Sequence, residues 1–138
     1  MNNKLANMLL VLRITVAIVF IMWAGNKFIN PVHAQNVYSG FFFMPELGMA
    51  IFLGIGLAEA ILIALFITGT LKSFSYLLVL VLHTVSTIAP YNIYLNAYSS
   101  DSNLLFFTAF PMWGACFVLY MMREYDTKMT LPTLLGKA

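Results

Sequence analysis

Apolar residues fall in four long runs that are separated by short polar segments. The runs cover approximately residues 5–28, 47–67, 74–94 and 104–122. Each is close to the roughly 20 residues that a helix needs to cross the hydrocarbon core of a bilayer. Helices are the predicted spanning form, because lipid offers the backbone no hydrogen-bond partners and the alternation of a barrel strand is absent. The pattern predicts an all-α, polytopic membrane four-helix bundle, with residues 1–138 forming a single transmembrane domain.

Residues that favour helix ends mark most boundaries of these runs. Asn30-Pro31 ends the first helix, Pro45-Glu46 opens the second, and Gly69-Thr70 closes it. Pro90 ends or kinks the third helix. The polar segment 99–103 is a loop that leads into the fourth helix. Consecutive helices joined by such short connections should pack as antiparallel neighbours.

Composition supports a membrane protein, and the basic residues give an orientation. The chain is 62% hydrophobic and 9% charged, whereas a soluble domain carries about a quarter charged residues. Most basic residues that flank the runs fall on one side of four spans. This predicts both termini in the cytoplasm. We separately expect a bacterial-type cytoplasmic (inner) membrane location. These basic residues are Lys4, Lys72, Arg123, Lys128 and Lys137.

Arg13 is the most informative residue, because it lies inside the first apolar run. An arginine at membrane depth costs roughly 2.5–3.5 kcal/mol on insertion scales and normally faces a partner. The segment from Lys4 to Ala34, which contains this run, also resembles a cleavable signal peptide. Its length and its internal arginine favour a helix that is retained in the protein.

Glu59 and His83 are ionisable residues that, like Arg13, lie well inside the runs, whereas Lys27 lies at the end of the first run. Counting residues from the cytoplasmic ends of the runs places Arg13, Glu59 and His83 at a depth of roughly 12–17 Å. We therefore predict one cluster, in which Arg13 binds Glu59 and His83 exchanges a hydrogen bond or a proton with that carboxylate. Such a cluster is either a structural ion pair or a site for a ligand headgroup or a proton relay.

Two segments resemble the DoxX family of membrane proteins. The segment LRITVAIVFIMWAGNKF, residues 12–28, is similar to the pattern LR-x-x-x-A/G-x-x-F-x-x-x-G-x-x-K that opens those proteins. The segment GIGLAEAILIALFITG, residues 54–69, is similar to their second helix, which is rich in small residues and has one glutamate. The resemblance implies a four-helix bundle whose role is defined by association. Some DoxX-like proteins are subunits of a thiosulfate:quinone oxidoreductase, and others are membrane partners of redox or thiol-stress enzymes.

A quinone is the candidate cofactor, since such a site needs an apolar slot and a few donors for the carbonyls. The outer half of the bundle offers Asn26, Lys27, Tyr91 and Asn92 as polar candidates, beside aromatic residues. The alternative for these aromatic residues is that they anchor the protein at the membrane interface.

Thiol and metal chemistry have little support in the sequence. Cys116 is the only cysteine, so the chain has no internal disulfide and no C-x-x-C pair. Met112 and Cys116 share a helical face and could join His83 in a soft copper(I) set. Because methionine is an ordinary packing residue, we expect no metal site.

Two functions from different classes remain open. The chain is either a membrane subunit or partner of a quinone-linked redox complex, or a non-catalytic scaffold or assembly factor with a structural Arg–Glu pair. In the first case we expect an accessory subunit of an oxidoreductase more than an autonomous enzyme. Small residues at Gly54 and Ala58 favour close helix contacts, within the bundle, with another copy or with a partner protein. We expect no nucleic-acid partner.

Overall fold

The computed structural model describes residues 3–42 and 47–136, and every regular element in these ranges is helical. The predicted all-α class is therefore confirmed. Short 3-10 helices cover Asp101–Thr108 and Arg123–Tyr125. The α-helices are α1 (Asn3–Ile29), α2 (Pro31–Phe41), α3 (Met49–Ile67), α4 (Lys72–Ile88), α5 (Tyr91–Leu95), α6 (Ala109–Met121) and α7 (Leu131–Leu134).

Helices lie where the four apolar runs predicted them. α1, α3 and the helical segment Asp101–Met121 are long and apolar enough to cross a membrane. α4 is apolar but shorter, because the helix ends at Ile88, ahead of Pro90. The third helix thus stops before the predicted residue 94, and α5 follows as a separate short helix.

α2 was not predicted from the sequence, because Asn30-Pro31 also fits the simple end of the first helix. Asn30 is also the N-cap of α2, and its side chain accepts a hydrogen bond from the His33 backbone N–H. Pro31 occupies the first helical position, where a backbone N–H has no acceptor within the helix, so proline loses no intrahelical hydrogen bond there. With 11 residues α2 is too short to span a membrane, and it packs against α1.

Two helix pairs form the bundle. α1 packs mainly against α3, α4 packs against α6, and contacts between α3 and α4 join the pairs. Large apolar side chains also cover the outside, as expected for helices that face lipid. The buried core is built from Leu9, Val16, Ala17, Leu62, Phe66, Tyr76, Val79, Cys116 and Leu119.

The bundle has two chemically different ends. Residues 3–13, the α3–α4 connection and residues 122–136 lie together at one end, which we call the tail end. The opposite end, which we call the far end, carries α2, α5 and the start of the fourth span. The predicted helix start at Pro45-Glu46 and the basic residue Lys137 lie outside the described residues.

Candidate functional site

Arg13 is the centre of a buried polar cluster at the tail end, and its side chain has no exposure to solvent. Its Nη1 donates to Asp126 Oδ2 at 3.0 Å and to the Tyr76 hydroxyl at 3.3 Å. Its Nη2 donates to the carbonyl oxygens of Lys128 at 2.7 Å and Met129 at 3.3 Å. The Tyr76 hydroxyl donates to the same carboxylate oxygen at 2.6 Å. The guanidinium therefore joins α1, α4 and the C-terminal segment.

The polypeptide at this cluster is closely packed, and Gly69 makes the packing possible. Gly69 has φ +61, a left-handed conformation that glycine adopts without strain. A Cβ at this position would lie 2.6 Å from Thr130 Cγ2 and 3.0 Å from Arg13 Nη1. The Leu131 N–H also donates to the Thr68 carbonyl at 2.7 Å, which fixes the C-terminal segment to the end of α3.

Gly69→Ala should lower the free energy of unfolding by more than about 1 kcal/mol, since it adds both strain and a steric clash. The buried thiol of Cys116 allows a direct measurement, because a thiol-reactive dye labels it only as the bundle opens on heating. Gly25→Ala is the control: an added Cβ there meets nothing within 4 Å. Equal melting temperatures for the two variants would show that residue 69 does not need glycine.

The predicted pairing of Arg13 with Glu59 is wrong. A Cβ added to Gly69 would lie 3.0 Å from Arg13 Nη1. The Arg13 side chain therefore reaches the level of Gly69 along α3. Glu59 lies ten residues before Gly69, about 15 Å away along α3. The predicted pairing requires that the start of α1 and the end of α3 lie at the same depth in the membrane. In the structure α1 extends past the end of α3, and its first turns pack at the tail end.

Glu59 instead binds Lys27 in a second cluster, toward the far end. Lys27 Nζ lies 2.6 Å from Glu59 Oε2, and the Tyr38 hydroxyl donates to Glu59 Oε1 at 3.0 Å. The Lys27 ammonium also lies 5.2 Å from the centroid of the Tyr38 ring. Burial and the nearby carboxylate raise the pKa of the Tyr38 phenol, so the hydroxyl stays protonated and donates. Tyr38 belongs to α2, which thereby covers the ion pair.

His83 belongs to neither cluster. Its Nε2 lies 3.1 Å from the Ala109 carbonyl, and its ring meets the edge of Phe20 at a centroid distance of 6.2 Å. Trp113 Nε1 donates to Thr84 at 2.9 Å one residue further along α4. His83 therefore helps to join α4 to α6, and the three residues predicted to form one cluster occupy three places.

The other candidates are distributed over the far end and the core. Asn26 contacts His33 Nδ1 at 3.0 Å, whereas Tyr91 and Asn92 are exposed on α5. Cys116 is buried in the apolar core, and Met112 packs against that core. The described residues contain no group of three His, Cys, Asp or Glu side chains that could hold a metal ion.

Three partners of the buried charged residues were not predicted from the sequence: Tyr38, Tyr76 and Asp126. One signal could have pointed to Asp126, since the chain has only five acidic residues to serve a buried arginine. In the sequence, the polar tail contributes only basic residues to the membrane orientation, because it follows the last apolar run. The two tyrosines gave no signal, since tyrosine near a membrane interface is ordinary.

The chain is similar to a family of membrane-associated proteins by a family model. A family model described as methylamine utilisation protein MauE matches residues 5–103. The matched range contains Arg13, Lys27 and Glu59, whereas Asp126 lies beyond it. No curated protein and no solved structure matches the chain.

Proposed function

This chain belongs to the MauE family, a DoxX-related family of small membrane proteins, and we propose from this premise that it is a non-catalytic membrane partner of an enzyme of methylamine utilisation. We place it in a bacterial inner membrane with both termini in the cytoplasm. Breaking the C–N bond of methylamine by oxidation is a redox step, so we assign the partner to the oxidoreductases. The resemblance to DoxX-like partners of redox enzymes supports the same assignment.

The carrying observation is that the buried polar groups bind one another. Arg13 has no solvent exposure, and its contacts are with a carboxylate, a phenol and two carbonyl groups of the same chain. Lys27 and Glu59 likewise bind each other. Groups held in this way fix helices and the tail in position, which favours a scaffold or assembly factor over an enzyme.

A quinone-linked role is the second candidate, and one surface feature favours it. A shallow apolar groove of about 270 Å³ lies between α1 and α3, and Phe28 and Ala60 both line it. These two residues directly follow Lys27 and Glu59 in the sequence. This groove suits an isoprenoid tail, and Lys27, which precedes the lining residue Phe28 in the sequence, would be the donor for a quinone carbonyl. Arg13 does not fit such a role, since its guanidinium is enclosed by protein groups. The groove is lined by Ile21, Ala24, Gly25, Phe28, Ala60 and Ile63.

Deleting the chain from a methylamine-using bacterium should lower the amount of the partner oxidoreductase and stop growth on methylamine. The wild-type chain should restore both, and a tagged copy should retain the partner when purified in mild detergent. Because the proposal assigns no catalytic group, His83→Gln and Cys116→Ala should restore growth as well. A variant that folds and keeps normal partner levels, yet stops methylamine oxidation, would show that the chain itself takes part in catalysis.

The same purified sample separates the two candidates. Lipid extraction should yield no stoichiometric quinone if the chain is a scaffold. Stoichiometric quinone that is lost in Gly25→Leu, which fills the groove where a Cβ meets nothing within 4 Å, would favour the quinone-linked role. Gly54→Leu is the matched control, since a Cβ there is equally unobstructed but Gly54 does not line the groove.

A further inference from the structure

A cleft of about 450 Å³ with polar and apolar lining residues opens at the tail end. It borders the Arg13 cluster at Gly69, which lines the cleft and packs close to Arg13. One wall is the start of α4, with Lys72 and Ser73, and the other is the C-terminal segment, with Glu124 and Thr133. The cleft is open to the outside, and its volume is large enough for the headgroup of a phospholipid. We propose that it binds the phosphate of an anionic phospholipid.

The charges around the cleft favour an anion. Lys72 lines it and has no ion-pair partner among residues 3–42 and 47–136. Arg123 borders it, since its Nε lies 3.4 Å from Ser73 Oγ. Among the residues that the structure describes, Glu124 is the only acidic one in the lining, and Arg123 Nε lies 3.5 Å from its carboxylate. Two cations against one carboxylate leave a net positive charge beside two hydroxyl groups that can donate to phosphate oxygens.

The apolar residues beside the cleft favour a lipid as the source of the phosphate. Leu71 and Phe74 line the same cleft, and these residues are 64% and 57% exposed. Large exposed apolar side chains directly beside Lys72 place the cleft where the hydrocarbon meets water. A headgroup phosphate can enter the cleft while its acyl chains lie along these side chains. Free phosphate would use the same polar groups but gain nothing from the apolar ones.

Native mass spectrometry of the full chain in detergent tests this site with two lipids of identical acyl chains. Phosphatidylglycerol should remain bound in preference to phosphatidylcholine, and Lys72→Gln should reduce that preference about fivefold, the effect of one basic residue near an anionic surface. Lys72→Arg should keep it, because the charge remains. Lys128→Gln removes the same charge at the same end without lining the cleft, and should leave the preference within about twofold.

Three results would overturn the assignment. Equal retention of the two lipids excludes an anion site, and an equal loss in Lys128→Gln indicates only the general field of the tail end. Displacement of phosphatidylglycerol by millimolar inorganic phosphate would assign the cleft to the free ion. Dye labelling of Cys116 on heating checks that each variant is folded, and Lys72→Arg provides a second, charge-preserving comparison if Lys72→Gln is unstable.

Discussion

Asp126→Ala should lower the free energy of unfolding by about 3–5 kcal/mol, because it leaves the buried guanidinium of Arg13 without its counter-charge. The side chains of both residues are fully buried, so water cannot replace the missing partner. The Tyr76 hydroxyl also loses its acceptor at 2.6 Å. Titration with a denaturing detergent in mixed micelles, followed by the labelling of Cys116, measures the change.

A double-mutant cycle decides which carboxylate is the partner of Arg13. Arg13→Leu and Asp126→Leu should be strongly non-additive, with a coupling of about 0.5–3 kcal/mol. Arg13→Leu and Glu59→Leu should be additive within about 0.5 kcal/mol, because the two residues share no contact. The reverse result would restore the pairing that the sequence predicted. The Arg13–Asp126 double variant should remain less stable than the wild type, since the Lys128 and Met129 carbonyls also lose their donor.

The all-α class and the approximate positions of the apolar helices could be predicted because they depend on the length of each apolar run. That signal is local, and the backbone in lipid has few alternatives to a helix. Helix ends were predictable where proline marks them, as at Pro90. α2 shows the limit of this reasoning, since Asn30 and Pro31 end one helix and also begin the next.

The candidate site was predicted less well, because pairing depends on how far helices are staggered along their axes. The sequence identified Arg13, Lys27 and Glu59 as notable but gave no measure of that stagger. A shift of about ten residues along a helix moves a side chain by about 15 Å, which changes its partner completely. Asp126 also reaches Arg13 only because the C-terminal segment folds back against the α3–α4 connection.

Glu59→Leu should lower the free energy of unfolding by about 2–4 kcal/mol, which is less than the effect of Asp126→Ala. The Glu59 side chain is 19% exposed, so water can partly take the place of the missing carboxylate. The cost arises because Lys27, whose side chain is only 5% exposed, loses its counter-charge. Tyr38→Phe should cost less, about 1 kcal/mol, since it removes one hydrogen bond and keeps the ion pair.

Exchanging the two charges separates the ion pair from simple packing. Lys27→Glu combined with Glu59→Lys should recover at least half of the stability lost in Glu59→Leu, because attraction between the two charges does not depend on which helix carries which sign. Lys27→Glu alone should be less stable than either, since it places two carboxylates together. If the exchanged variant is no more stable than Lys27→Glu, the pair contributes nothing to stability. In that case Lys27 and Glu59 would be retained for a ligand, which favours the quinone-linked role over the scaffold.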